Sequence, residues 1–182
     1  MRILLFSALA LAVATPAIAA QVNDATALAM AKPRELIVAP DISAARRAAL
    51  LKPVDAFYGF WINGSPKLLG EALSPKFIDH TLPAGRPQGP SGPATASRGF
   101  LTAVPDLKME VVQRLVVGDR IVSHLRFTGH FTGFFKDVRG KGQPIDFIAT
   151  DILRVQGGKI TDNWHLEDNL TFLQQIGVLP KS

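Results

Sequence analysis

Met109-Glu110-Val111-Val112-Gln113-Arg114-Leu115-Val116-Val117-Gly118-Asp119-Arg120-Ile121-Val122-Ser123-His124-Leu125-Arg126-Phe127 is the stretch that decides the fold. Before Pro105 the apolar residues return at helical spacing; here they return with a period near two, the signature of strands. Gly118-Asp119 divides the stretch into Met109 to Val117 and Ile121 to Phe131, a two-residue hairpin turn between two strands. Further on, Ile145 to Val155 and Ile160 to Leu166 flank Gly157-Gly158, a second hairpin, and the span from Phe131 to Gly142 is a longer connection. Four strands joined in this way make an antiparallel meander.

Upstream, the chain reads as helices. Asp41 can cap a helix over 41–62, with Pro53 kinking it or starting a second helix. Val54, Phe57, Tyr58 and Trp61 fall at i, i+3, i+4, i+7 on one face, which reads as core, with Tyr58 and Trp61 placed to touch a ligand as well. Ser65-Pro66 is a cap and first helical residue for a helix over 65–73. A third helix covers 94–104, with Ala96, Phe100 and Val104 on one side and Pro105 stopping it. Residues 82–93 alternate proline and glycine with polar residues and read as a surface loop. Residues 20–40 have no clean period and read as an N-terminal arm. A short helix with Leu170, Leu173 and Ile176 inward ends the chain. Helices first and strands after argue α+β, with the helices packed on one face of a curved antiparallel sheet. Such a sheet leaves a concave interior where a small apolar molecule can sit.

The N-terminus carries an address. Met1-Arg2 is followed by the apolar run Ile3 to Val13 and by Ala14-Thr15-Pro16-Ala17-Ile18-Ala19, the parts of a secretory signal cleaved after Ala19. The run is shorter than the roughly 20 apolar residues a bilayer needs, so no membrane anchor is expected after cleavage, and the mature protein is expected in the periplasm or secreted. The remaining 163 residues (182 less 19) suit one domain, 41–182, behind the arm. The chain holds no cysteine, which excludes disulfides, thiol chemistry and thiolate metal sites. The net charge of +5 is spread without a basic run, so nucleic acid is not an expected partner.

Chemistry is sought on the last strand. If its apolar residues point inward, alternation puts Ile160, Asp162, Trp164, Leu166 and Asp168 on the inner face. Trp164 then floors the pocket, and Asp168, its acidity weakened by burial, is the expected acid/base. The competing role for Asp168 is to cap the last helix. His80 stands at the start of the Pro/Gly loop, a place for a pocket rim. His124, His130 and His165 lie on strands, and no pair of histidines has metal-ligand spacing, so no metal is expected. Dinucleotide-binding, Walker and nucleophile-elbow motifs are missing.

Several pieces in order resemble the SnoaL-like polyketide cyclase, or ester cyclase, group of the NTF2-like superfamily. They are Phe60-Trp61-Ile62-Asn63-Gly64, Phe77-Ile78-Asp79-His80, Ala103-Val104-Pro105-Asp106-Leu107, Gly118-Asp119-Arg120-Ile121-Val122, Asp151-Ile152-Leu153-Arg154 with Gly158-Lys159-Ile160, and Trp164-x-x-x-Asp168-x-Leu170 with Gln175-Ile176-Gly177. The resemblance covers about Phe57 to Leu179. It implies an α+β cone, a homodimer formed through the sheet, and a pocket that needs no cofactor. It also implies an acid/base role for Asp168 and, from Gly129-His130-Phe131-Thr132-Gly133, a catalytic part for His130. In this chain that histidine is displaced by one place from the family's pattern. His80, His124, Phe131 and Trp164 are the further expected ligand contacts. The expectation is an exported protein with a small-molecule pocket, acting as a cofactor-independent cyclase, isomerase or lyase on a small apolar carbonyl compound. The alternative is an exported domain that binds without turnover.

Overall fold

The structure, a computed structural model, describes residues 22–180, so the signal expected over 1–19 lies outside the described residues. In chain order the elements are α1 (Asp24–Met30), β1 (Glu35–Val38), α2 (Ala44–Asn63), α3 (Pro66–Ala72), β2 (Leu73–Asp79), α4 (Ser91–Ala103), β3 (Lys108–Val117), β4 (Arg120–Phe131), β5 (Phe134–Phe135), β6 (Val138–Arg139), β7 (Gln143–Gln156), β8 (Lys159–Glu167) and α5 (Asn169–Gln175). The expected meander is present as β3, β4, β7 and β8, each antiparallel to the next. The arm is itself structured: β1 adds parallel to β3 at one edge, while β2 adds parallel to β8 at the other, giving the order β1-β3-β4-β7-β8-β2. Periodicity did not announce β2, because Ser74-Pro75-Lys76 interrupt its alternation. The interruption is tolerated at an edge, in a stretch where pairing with β8 is irregular between Leu73 and Ile78.

Helix α2 runs along the inner face of the sheet. Ser43 caps it by accepting from the Arg46 N–H (3.2 Å), and Gly64 ends it in the left-handed region at φ 71°. From Pro53 to Phe60 every residue is buried, so this half is not amphipathic but enclosed. Gly59 makes that possible: a Cβ there would stand 3.0 Å from Leu68 of α3 and 3.5 Å from Leu28 of α1, which close on α2. Phe57, Phe60 and Leu50, all nearly inaccessible, gain about 1.5–3 kcal/mol each from burial.

Two bulges decide which side chains enter the interior. In β3 the pairing with β4 slips at Val112, so that Val111 and Arg114 both point inward. In β8 the pairing with β7 slips between Ile160 and Asp162, leaving Thr161 as the extra residue. Ile160 faces in, yet beyond Thr161 the inward residues are Asn163, His165 and Glu167.

The β4–β7 connection packs tightly against α4. Gly133 donates its N–H to Ala103 O (3.0 Å), and a Cβ on Gly133 would collide with the carbonyl of Thr102. Gly133→Ala should therefore destabilise the protein by about 1–3 kcal/mol, seen as a lower urea midpoint with an unchanged slope.

Candidate active site

The inner face of β4, β7 and β8, roofed by α2 and α4, encloses a cavity with an apolar wall and a polar floor. Phe57 and Trp61 come from α2, Phe77 from β2, Phe100 from α4, Leu125 and Phe127 from β4, and Phe147 from β7. The rings pack on one another: Phe127 stacks on Phe147 at 5.0 Å between centroids, Phe100 on Phe147 at 6.0 Å, and Trp61 meets Phe57 edge-on at 6.2 Å. The polar residues are Asp79, Arg86, Asp151, Asn163, His165 and Glu167. The open space is small, about 40 Å³ for the centre of a water-sized sphere. That holds a few waters.

Asp151 and Asp79 are the two buried carboxylates of this floor; Asp151 is the one set among apolar neighbours on its strand. It stands on β7 in the inward series Ile145, Phe147, Ala149, Asp151, Leu153 and Val155, directly opposite Ser123 on β4 and His165 on β8. The Tyr58 hydroxyl donates to its Oδ2 (3.0 Å), and Asn163 Nδ2 donates to its Oδ1 (3.2 Å). Burial pushes the carboxyl up to about 6, against the opposing pull of the Asn163 bond, the His165 charge and the Tyr58 bond. Tyr58, wholly buried and beside Asp151, has its own pKa pushed well above that of a free phenol by burial first and the Asp151 charge second. It therefore stays a donor.

His165 sits between two carboxylates. Its Nε2 lies 3.0 Å from Asp79 Oδ2, and its Nδ1 lies 3.5 Å from Glu167 Oε1. Burial would push its pKa down, but the bond and charge of Glu167, with the charge of Asp79, outweigh burial and lift it to about 9. The imidazolium is thus the stable form at neutral pH, with Nε2–H bonded to Asp79 and Nδ1 beside the Glu167 carboxylate. Glu167 is held low in return: its own burial is outweighed by the His165 bond and charge, then by the charge of Arg86. The edge strand β2 brings Asp79 here through its register of Asp79 with Asn163.

The expected site residues divide. Trp61 lines the cavity, and Tyr58 lies behind it on Asp151. Asp168 does not line this cavity: it is the N-cap of α5, accepting from Thr171 N–H (3.0 Å), and that bond holds its pKa below the usual carboxylate range. The catalytic expectation for Asp168 is corrected accordingly, in favour of the capping role. Trp164 stands on the outer face, stacked on His80 at 4.3 Å with Arg120 over its ring at 5.4 Å. His80 bonds Asp162 (2.8 Å), and His124 bonds Thr150 (3.0 Å), both away from the cavity. His130 is exposed and paired with Asp106 (2.7 Å); β4 runs through Gly129 in unbroken register with β7, so nothing turns this histidine inward. Phe131 is fully buried in the core and is not a lining residue. The bulge at Thr161 explains the reversal on β8, since one extra residue exchanges the two faces beyond it. Asp79, Arg86, Asp151, Asn163, His165 and Glu167 were not singled out from the sequence. Among the described residues, no cluster of three or more His, Asp or Glu side chains is arranged to hold a metal.

Comparison with known proteins follows the same lines. The sequence profile of the SnoaL-like polyketide cyclase family matches residues 53–176. A crystal structure of a Bacillus cereus ATCC 10987 protein, provisionally named a polyketide cyclase, is 41% identical, covering 82% of this chain and 95% of that one with a TM-score of 0.73. A protein from Jannaschia sp. CCS1, provisionally named a SnoaL-like polyketide cyclase, shares the fold at 22% identity, 78% and 98% coverage and a TM-score of 0.60. So does a Catenulispora acidiphila DSM 44928 protein with a ketosteroid isomerase-like fold, solved in complex with trimethylamine, at 19% identity, 69% and 92% coverage and a TM-score of 0.54. Nothing among curated proteins matches significantly.

Proposed function

Because the chain belongs to the SnoaL-like polyketide cyclase family, we propose that it is a cofactor-independent acid/base enzyme acting on an apolar carbonyl compound, with Asp151 as the proton carrier. The observation that carries this reading is a buried carboxylate with a pKa near 6 on the floor of an otherwise aromatic cavity. At neutral pH Asp151 is mostly ionised, yet basic enough to take a proton from carbon next to a carbonyl. As the C–H bond breaks, its electron pair moves toward the carbonyl oxygen and an enolate develops. The His165 imidazolium, fixed by Asp79 and Glu167, places positive charge on the same wall and favours that negative charge without giving up a proton. Tyr58 and Asn163 hold the Asp151 carboxylate in one orientation. The proton then returns to the same carbon or to another, or the enolate carbon closes on a second carbonyl, whose π electrons move to its oxygen, and that alkoxide takes the proton from Asp151.

The test is proton exchange. 4-Phenyl-2-butanone incubated with the protein in D2O should exchange its α-protons faster than in buffer alone, followed by NMR. Binding without exchange would support instead a domain that holds ligands without turnover.

Export and a dimer belong to the same proposal. The signal-like N-terminus supports a periplasmic or secreted home. The outer sheet face supports a homodimer: Ile152 lies opposite Trp164 and Thr150 opposite Leu166, and Ile148, Ile152 and Leu166 are 46%, 40% and 79% exposed. One patch facing its own copy across a two-fold axis would cover all three. Light scattering at micromolar concentration should give a dimer mass, and Leu166→Asp with Ile152→Asp should give a monomer. A monomeric wild type would refute the dimer.

A further inference from the structure

We infer that Arg86 is a ligand-binding residue, a clamp for a carboxylate on the molecule that occupies the cavity. This rests on the reading of the cavity as a substrate site and narrows its substrate to a carbonyl compound that also carries a carboxylate. A guanidinium presents five N–H donors in a planar fork and keeps its charge at any working pH. The other enclosed arginines use theirs: Arg114 bonds Asp55, Ser123 and Ala31 O, and Arg154 bonds Asp162. Arg86 lines the cavity with its side chain only 17% exposed, yet its side chain makes no hydrogen bond to any described residue. Its nearest carboxylate, Glu167, is 3.9 Å away, too far for a hydrogen bond, and is already held by His165 and Asn169. A sheltered cation on the polar side of the cavity, with its fork unfilled, is the half of a bidentate pair that a carboxylate completes.

The loop is built to hold Arg86 in place. Gln88 bonds both backbone groups of Asp79, accepting from its N–H (2.8 Å) and donating to its C=O (3.0 Å), which ties the loop to β2. The Arg86 N–H donates to Pro83 O (3.1 Å). At Gly92 a Cβ would meet the carbonyl of Pro87 and stand 3.6–3.7 Å from the Arg86 stem, so the bare glycine lets the loop lie close under α4. His165 and Arg86 carry two positive charges against Asp79 and Glu167, and Asp151 adds a third carboxylate when ionised, so it is the unfilled fork of Arg86, and not a net positive field, that would hold an anion.

Paired ligands test the clamp. 4-Oxo-4-phenylbutanoate carries an aryl ketone and a carboxylate; its methyl ester keeps the shape and loses the charge. By isothermal titration calorimetry the wild-type protein should bind the acid about tenfold or more tightly than the ester. Arg86→Gln should bring the two affinities together by weakening the acid alone, and Arg86→Lys should keep part of the preference. Equal affinities in the wild type, an undiminished preference in Arg86→Gln, or binding of neither compound would overturn the clamp. Deuterium exchange at the ketone's α-carbon is read separately. An acid that binds through Arg86 without exchange leaves the clamp standing and removes only the proton-transfer chemistry.

Discussion

Asp151→Asn should lower the enzyme-catalysed exchange rate by about 10²–10⁴-fold while leaving the fold intact. The amide has nearly the volume of the carboxylate and can still accept from Tyr58, but it cannot take up a proton. Because Asp151 is buried and its pKa is raised to about 6, ionising it costs folding stability. Stability from this group is therefore greatest at low pH and falls as pH rises from the unfolded value through about 6. The neutral asparagine has no such cost, so the variant should be at least as stable as the parent at pH 8. Exchange by the parent should rise through pH 6 as the base ionises, and fall again beyond about pH 9 as His165 loses its proton. Tyr58→Phe removes a donor to the carboxylate and should shift the rising limb to higher pH. Asp168→Asn is the informative control: it alters the cap of α5 and should leave the exchange rate unchanged. A rate lost with Asp168 and kept without Asp151 would reverse the assignment.

That reversal would restore what alternation along β8 suggests, and the reason alternation fails is local. From Ile160 the period of two runs correctly inward, but the extra residue Thr161 exchanges the faces before the functional side chains are reached. No glycine or proline marks the bulge, so its place is set by pairing with β7, a long-range fact that one strand's sequence does not carry. The meander itself was legible because Gly118-Asp119 and Gly157-Gly158 are strong turn signals and each strand has one buried face. Asp151 was not singled out, although its strand carries a signal for it. Its strand alternates without a bulge through Ile145, Phe147, Ala149, Asp151, Leu153 and Val155, and a lone carboxylate in that apolar series is the anomaly to notice. His165 was present as a lone histidine on a strand, but its two carboxylate partners come from β2 and from two residues further along β8. The edge strand β2 was hidden by Pro75, and with it went Asp79. Arg86 lay in a Pro/Gly loop read as surface, where nothing local shows that Gln88 and Gly92 fold it inward.

Behind the site lies a second charge that the fold cannot spare. Arg114 is wholly inaccessible, turned inward by the bulge at Val112. Its Nη1 donates to Asp55 Oδ1 (2.7 Å), its Nη2 to Ala31 O (3.1 Å) and its Nε to Ser123 Oγ (3.2 Å), while the guanidinium lies 5.2 Å from the centre of the Tyr58 ring. One side chain thus joins the end of α1, the middle of α2 and strands β3 and β4. Removing a buried cation strands the carboxylate that neutralises it, and that cost exceeds what the pair contributes when whole. Arg114→Met should therefore lose about 3–5 kcal/mol of stability, a fall in melting temperature of roughly 6–20 °C for a chain of this size. Lys32, the other partner of Asp55, is largely exposed and should recover only part of the loss. Adding Asp55→Leu to Arg114→Met removes the orphaned charge, so the double variant should be more stable than Arg114→Met alone. Urea unfolding of the four proteins measures this coupling. A double variant whose loss equals the sum of the two single losses would mean that Arg114 and Asp55 act independently, contrary to the contact between them. The same series reaches the site, because Arg114 packs on Tyr58 and Tyr58 donates to Asp151. The double variant, more stable than Arg114→Met, should still show a displaced acidic limb in its exchange profile, which separates the pair's effect on the Asp151 carboxylate from its effect on the fold.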